Sequence, residues 1–123
     1  MTATCVEPIP QFVLPHHRLI AFSVARELLL AILACRISDP KLRDEATRSA
    51  KSACLNCAEG AGRVSRADKA RVFAIGRAEA VEAAAAVEIA ALCGEVPAAP
   101  AREVARHADR LVALLTGLVR SRA

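Results

Sequence analysis

The residues that could carry chemistry in this chain include five cysteines and three histidines. Cys54 and Cys57 form a Cys-x-x-Cys pair, a spacing found in zinc sites and in redox-active disulfides. Two thiolates do not complete a tetrahedral zinc site, so Cys5, His16 and His17 would have to supply ligands from the N-terminal part of the chain. The alternative, which the sequence favours, is that both thiols pack as small apolar side chains in a helix interface.

Glu79 and Glu82 lie three residues apart on a predicted helix, and such a carboxylate pair can act in acid–base or metal chemistry. The neighbouring sequence supplies neither a nucleophile nor a second set of ligands, and His107 is expected on the surface of the last helix. Thioredoxin-type redox chemistry requires a βαβ pattern, which this helical sequence lacks. We therefore predict a protein that is not an enzyme and that has no metal ion or cofactor.

Basic residues are concentrated in the middle of the chain. The net charge is +4, and nine basic and five acidic residues lie between Asp39 and Arg77. We predict a nucleic-acid or partner-binding surface formed by six of these basic residues: Arg48, Lys51, Arg63, Arg66, Lys69 and Arg71. The only aromatic residue near them is Phe73, so binding would follow phosphate charge and shape and not base stacking. The alternative is a solvated basic face that pairs with acidic residues of a neighbouring subunit.

Length and composition place limits on the class of protein. The chain has 123 residues, of which 54% are hydrophobic, which suffices for one domain with its own core. The cysteines are odd in number and the first residues lack the features of a signal peptide, so we expect a reduced, cytoplasmic protein. The apolar run from Leu28 to Cys35 is far shorter than the roughly 20 residues that a bilayer requires, and we predict no membrane span.

Prolines and glycines divide the chain into an arm and four helices. Three prolines predict an extended N-terminal arm over residues 1–16, and a helical domain follows over residues 17–122. The helices are predicted over about residues 17–36, 40–59, 66–93 and from about residue 100 onward. Because the connections are short, we predict an all-α fold, an antiparallel up-down-up-down four-helix bundle.

Capping residues mark the ends of these helices. Asp39 is expected to cap the second helix, with Pro40 at its first position. Gly60 is expected to end that helix in the left-handed conformation, and Gly62 to keep the connection flexible. Ser65 should then cap the third helix. Gly94 should end the third helix, and the fourth carries a heptad seam of apolar residues: Val104, Ala108, Leu111, Leu115 and Leu118.

The third helix is predicted to be apolar on most of its sides. Ala83 to Ala86 make a full turn without a polar side chain, and Val81, Val87 and Ile89 extend the apolar coverage. A helix in a small bundle has one outward face, so a second apolar face must be exposed or covered by another subunit. We predict self-association through this helix. The alternative is that alanine occupies exposed positions because it is the strongest helix former.

The segment from Arg48 to Arg63 resembles the signature of the four-helix-bundle, or 23S ribosomal RNA intervening-sequence, protein family. That signature has the form Arg-x-Ala-x-Ser-x-x-x-Asn-x-Ala-Glu-Gly-x-Gly-Arg. The matching residues are Arg48, Ala50, Ser52, Asn56, Ala58, Glu59, Gly60, Gly62 and Arg63. The chain departs from the family at Cys54, Cys57 and Ala61, where Pro, Ile and Tyr are frequent.

The resemblance, which covers roughly residues 18 to 120, implies a cytosolic four-helix bundle that assembles into homo-oligomeric rings of five copies. It implies no defined activity, although a related bundle assists retroelement reverse transcriptases through nucleic-acid and protein contacts. From the residues themselves, we expect a polar motif that holds the turn between the second and third helices. In this motif the Asn56 amide bonds to backbone groups of the turn, and Glu59 pairs with Arg63 or Arg48. Its members are Ser52, Asn56, Glu59, Gly60 and Gly62.

Two functions from different classes follow from these observations. The first is a non-enzymatic, ring-forming bundle whose basic edge contacts RNA or a nucleoprotein. The second is a protein-binding scaffold oligomer with no nucleic-acid role, in which the same arginines satisfy carboxylates of neighbouring subunits. A metal-dependent enzyme built on the cysteines, the histidines and the glutamates of the third helix is a third, least supported, alternative.

Overall fold

The computed structural model describes residues 12–121, which form one short 3₁₀ helix and four α-helices. The 3₁₀ helix is Pro15–Arg18, and the α-helices are α1 (Ile20–Cys35), α2 (Pro40–Gly62), α3 (Arg66–Leu92) and α4 (Ala98–Arg120). No β-strand occurs between residues 12 and 121, so the all-α class and the four predicted helices are confirmed. Residues 1–11, which make up most of the predicted arm, lie outside the described residues.

Local capping chemistry sets three helix ends as predicted. The Asp39 carboxylate accepts a hydrogen bond of 2.8 Å from the Leu42 backbone N–H at the start of α2. The Ser65 hydroxyl accepts one of 3.1 Å from the Asp68 N–H at the start of α3. Gly94, with a φ of 81°, follows the end of α3 in a conformation that residues with a Cβ rarely adopt. These ends depend on neighbouring residues alone, which is why the sequence predicts them.

The chain before α1 is not extended as far as residue 16. Pro15 to Arg18 form a 3₁₀ helix, and Leu19 alone separates this turn from α1. The Leu14 carbonyl accepts a 3.0 Å bond from the His17 N–H, and the Leu14 N–H donates to Nδ1 of His17 at 2.9 Å. The His16 ring also contacts the edge of Phe22, with a centroid distance of 4.7 Å. These local contacts favour the turn, and Pro15 at its first position is compatible with it.

The prediction that Gly60 ends α2 in a left-handed conformation is wrong. Helix α2 continues to Gly62, and Gly94 is the only glycine among the described residues with a positive φ. Gly60 is buried against the Phe73 ring, and a Cβ built on it would lie 2.5 Å from the nearest ring atom. The position therefore needs glycine because α3 approaches so closely, not because the chain turns there. Gly62 belongs to the helix and is not a flexible link.

Each helix packs against two neighbours, α1 and α3 both lying against α2 and α4. The largest fully buried side chains are Leu28, Leu111, Leu115, Val72, Val87 and Val104. The first four members of the predicted α4 seam are buried, and the fifth, Leu118, is partly buried against the core. The seam therefore faces the core, as its heptad spacing predicts.

Small residues are buried along both α2 and α3. Ala46, Ala50 and Ala53 of α2 are fully buried, as are Ala80, Ala83 and Ala90 of α3. Gly60 lies beside Phe73, Gly76 beside Asn56, and Arg48 bonds Glu82. Small side chains allow the two backbones to approach closely, and glycine allows the closest approach of all.

A helix that crosses a membrane must be both long and apolar. Among the residues that the structure describes, no helix is both long enough and apolar enough to cross a bilayer.

Gly60 and Gly62 provide a matched test of the α2–α3 contact. We expect Gly60→Ala to lower the free energy of unfolding by roughly 1–3 kcal/mol, because its methyl group would enter the space of the buried Phe73 ring. Gly62→Ala should leave stability unchanged or slightly higher, since nothing lies within 4 Å of its added Cβ. Denaturant titration at one protomer concentration measures both. Equal stability of the two variants would contradict the packing role of Gly60.

Candidate partner-binding surfaces

The six predicted basic residues do not form one free surface. In α2, Arg48 bonds Glu45 at 2.7 Å and Glu82 of α3 at 3.2 Å. At the α2–α3 turn, four further charged groups form a chain: Arg63 pairs with Glu59 and Asp68, and Arg71 pairs with Asp68. Three of the six cations are therefore paired with carboxylates of the same protomer.

Lys69 has a structural role that the sequence did not indicate. Its ammonium donates to the backbone carbonyls of Gly60 at 3.3 Å and Ala61 at 2.9 Å. Carbonyls in the last turn of a helix lack partners within that helix, so Lys69 satisfies the end of α2 from the start of α3. The side chains of Lys51 and Arg66 are exposed, and neither contacts another polar group among the described residues.

The charges at the α2–α3 turn hold one another in the ionised form. Hydrogen bonding to Arg71, with the nearby charge of Arg63, lowers the pKa of Asp68. Hydrogen bonding to Glu59 raises the pKa of Arg63. These pairs are exposed to solvent and exchange readily with water and ions. They reduce the positive charge of the turn without removing it.

Arg66 lies apart from these ion pairs, in a cleft between α3 and α4. It lines an open cleft of about 860 Å³ between the start of α3 and the end of α4, together with Arg120. The other lining residues are Ala67, Ala70, Val119 and Ser121. Arg120 was not predicted as a site residue, because only the packing of α3 on α4 brings the two arginines together.

The polar motif of α2 acts within its own helix. The Asn56 amide nitrogen donates to the Ser52 carbonyl at 2.8 Å and to the Ser52 hydroxyl at 3.2 Å. The expected bonds from Asn56 to the turn are therefore wrong, because a partner lies one helical turn back along α2. Glu59 pairs with Arg63, which is one of the two predicted partners. Asn56 and Gly60 instead face Gly76 and Phe73 of α3, so this motif forms the α2–α3 contact.

Three carboxylates meet along the line where α2 and α3 touch, and we call Glu45, Glu79 and Glu82 the seam carboxylates. A hydrogen bond between Glu45 and Glu82 raises the pKa of Glu82 and lowers that of Glu45. One carboxylate oxygen of Glu79 is buried and has no hydrogen-bond partner. Arg48 is the one cation paired with this group in the described structure, so the seam carboxylates together carry an excess of negative charge.

The Cys-x-x-Cys pair is buried in the core. Burial raises the pKa of Cys54 to about 11 and that of Cys57 to about 12, so both remain thiols at neutral pH. Cys5 lies outside the described residues, and residues 12–121 contain no group of three potential ligands that could hold a metal ion.

His107 is less exposed than predicted, with 14% of its side chain accessible and Nε2 at 3.5 Å from Glu103. The cleft between α1 and α4, which it lines, shelters this ring.

The outward side of α3 is apolar, and we call it the α3 outer face. Its exposed large side chains are Ile75 (42%), Val81 (48%), Ile89 (48%) and Leu92 (81%). Ala74, Ala78 and Ala85 are exposed beside them. In this protomer the second apolar face of α3 is therefore uncovered, which is the condition that the sequence argument required.

These features define a small all-helical protein with one exposed apolar helix face. A family model for the 23S rRNA-intervening sequence protein matches residues 18–117. The chain belongs to this family, as the resemblance of the α2 segment predicted. No curated protein matches the chain.

The state of the thiols can be tested directly. In a Cys5→Ser variant, we expect a thiol reagent at mildly alkaline pH to modify Cys93 rapidly, because Cys93 is exposed. Cys35, Cys54 and Cys57 should react only after denaturation, since all three are buried and burial raises the pKa of each. Mass spectrometry of the labelled protein measures this. Rapid labelling of Cys54 or Cys57 in the folded protein would contradict their role as core residues.

Proposed function

We propose that this protein is a non-enzymatic scaffold that assembles with copies of itself through the α3 outer face. The observation that carries the proposal is the exposure of Ile75, Val81, Ile89 and Leu92 along one side of a single helix. Monomeric proteins rarely expose a contiguous apolar surface of this kind.

The spacing of the α3 outer face supports a helical partner. Ile75, Ala78, Glu82, Ala85, Ile89 and Leu92 alternate steps of three and four residues, the spacing with which helices pack side by side. From Ile75 to Leu92 this row is roughly 26 Å long at the rise of an α-helix. Glu82 is the one charged residue in the row, so most of the contact would be apolar.

The proposal takes the four helices as an antiparallel up-down-up-down bundle. Three contacts support opposite directions for α2 and α3: Gly60 with Phe73, Asn56 with Gly76, and Arg48 with Glu82. From the first contact to the third, the residue number falls along α2 and rises along α3. We also propose closure into a ring, with five copies and a cytoplasmic location, as the family resemblance implies. The antiparallel bundle, the ring of five copies and the cytoplasmic location are all parts of the scaffold hypothesis.

RNA or nucleoprotein binding is a second candidate function. It is supported by the cleft that Arg66 and Arg120 line, where the remaining lining residues carry no charged side chain. Two arginines without a neighbouring carboxylate in the cleft can contact phosphate groups of a nucleic acid. The paired state of Arg48, Arg63 and Arg71 argues for a smaller contact than the full set of six basic residues would make.

The scaffold proposal predicts a defined response to charge on the α3 outer face. We expect the wild-type protein to be oligomeric at micromolar concentration and Ala85→Glu to weaken association by about tenfold or more, because association would bury an unpaired carboxylate. Ala113→Glu is the matched control, since Ala113 is exposed on α4. Sedimentation equilibrium measures the association constant. A monomeric wild type, or an equal loss of association in the Ala113→Glu control, would contradict the proposal.

The RNA candidate predicts a salt-dependent affinity for structured RNA. Arg66→Gln and Arg120→Gln should each weaken binding for any sequence and reduce the salt slope by about one. Arg102→Gln, a change at an exposed arginine of α4, should leave binding unchanged. Fluorescence anisotropy over a salt series measures both quantities. Absence of binding at low salt would remove this candidate.

A further inference from the structure

The described chain begins with a second exposed apolar surface. Phe12, Val13 and Leu14 precede the 3₁₀ helix and Ile20 follows it, with exposed fractions of 59%, 61%, 44% and 60%. We call residues 12–20 the N-terminal segment. Its permanent cation is Arg18, which is exposed and makes no ion pair with any residue that the structure describes. The segment is therefore apolar and positively charged.

The α3 outer face has the opposite charge. Glu82 lies within it, and Glu79 and Glu45 adjoin it where α3 meets α2. Arg48, which pairs with Glu45 and Glu82, is the one cation paired with any of these three carboxylates among residues 12–121. One carboxylate oxygen of Glu79 is buried and lacks a hydrogen-bond partner within the protomer, so these carboxylates have fewer donors than their oxygens could accept. The face is therefore apolar, with an excess of negative charge along its α2 side.

We infer that the N-terminal segment of one copy docks on the α3 outer face of the next copy, with Arg18 bound to the seam carboxylates. The inference rests on the proposed self-association and names the surface that meets α3. Apolar side chains of the segment cover apolar side chains of α3, and the guanidinium adds a second cation to three carboxylates that have only Arg48 as a paired cation among residues 12–121.

Other basic surfaces of the protomer fit the α3 outer face less well. Helix α4 carries Arg102, Arg106 and Arg110, but it exposes no large apolar side chain among the described residues. At the α2–α3 turn, Arg63 and Arg71 already pair with carboxylates. Arg66 has no such partner among the described residues, but Val64 is the one exposed large apolar side chain of the turn. The N-terminal segment alone combines several exposed apolar side chains with a cation that has no partner in the described part of the chain.

The contact joins two different surfaces, so each copy would offer one to each neighbour. Such a heterologous contact repeats head to tail and produces a ring when the rotation closes. The geometry of the assembly would then follow from the angle between the N-terminal segment and α3 within one protomer.

The first test is a charge exchange measured by sedimentation equilibrium. Arg18→Glu and Glu82→Lys should each weaken association about tenfold or more, and the double variant should recover most of the loss. Phe12→Ser should also weaken association, whereas Arg102→Glu should not. Arg18 and Phe12 are exposed, so circular dichroism should show an unchanged fold and melting temperature for these variants.

The second test is cross-linking of two single-cysteine variants, Val13→Cys and Val81→Cys, each made in a background without Cys5 and Cys93. A bis-maleimide reagent should join the two variants when they are mixed and should give little product with Ala113→Cys in place of Val81→Cys. If Ala85→Glu dissociates the oligomer while Arg18→Glu and Phe12→Ser associate as the wild type does, the docking is wrong and self-association stands. A monomeric wild type would overturn both.

Discussion

The close contact between α2 and α3 is the constraint on which the rest of this structure depends. It is possible because Gly60 lies against Phe73 and Gly76 against Asn56, with fully buried alanines along both helices. A side chain at Gly60 would occupy the volume of the Phe73 ring. Helix α3 buries Phe73 and several small residues on its inner side, and Ile75, Val81, Ile89 and Leu92 remain exposed on its outer face.

The same contact decides which charges meet. It places Arg48 of α2 beside Glu82 of α3, and it brings Lys69 to the free carbonyls at the end of α2. The six predicted basic residues thus become three paired arginines, one cap and two exposed cations, Lys51 and Arg66. The negative excess along the α2–α3 line arises in the same way, because Glu45 of α2 meets Glu82 of α3 there.

The structure gives the cysteines a packing role. Cys54 and Cys57 face the core, where desolvation disfavours the thiolate that redox or metal chemistry would need. Their small side chains suit a helix that must approach its neighbour closely. The burial that makes these thiols unreactive also makes them part of the hydrophobic core.

The amino-acid sequence by itself determined the number of helices, the caps at Asp39, Ser65 and Gly94, and the buried seam of α4, because these features depend on residues within one or two helical turns. It also indicated the apolar outer face of α3. Only the tertiary structure decided that Gly60 is a packing residue, that Lys69 is a cap and that Arg66 and Arg120 share a cleft. Each of these roles depends on which residue of another helix lies opposite, and the order of residues within one helix does not specify that neighbour.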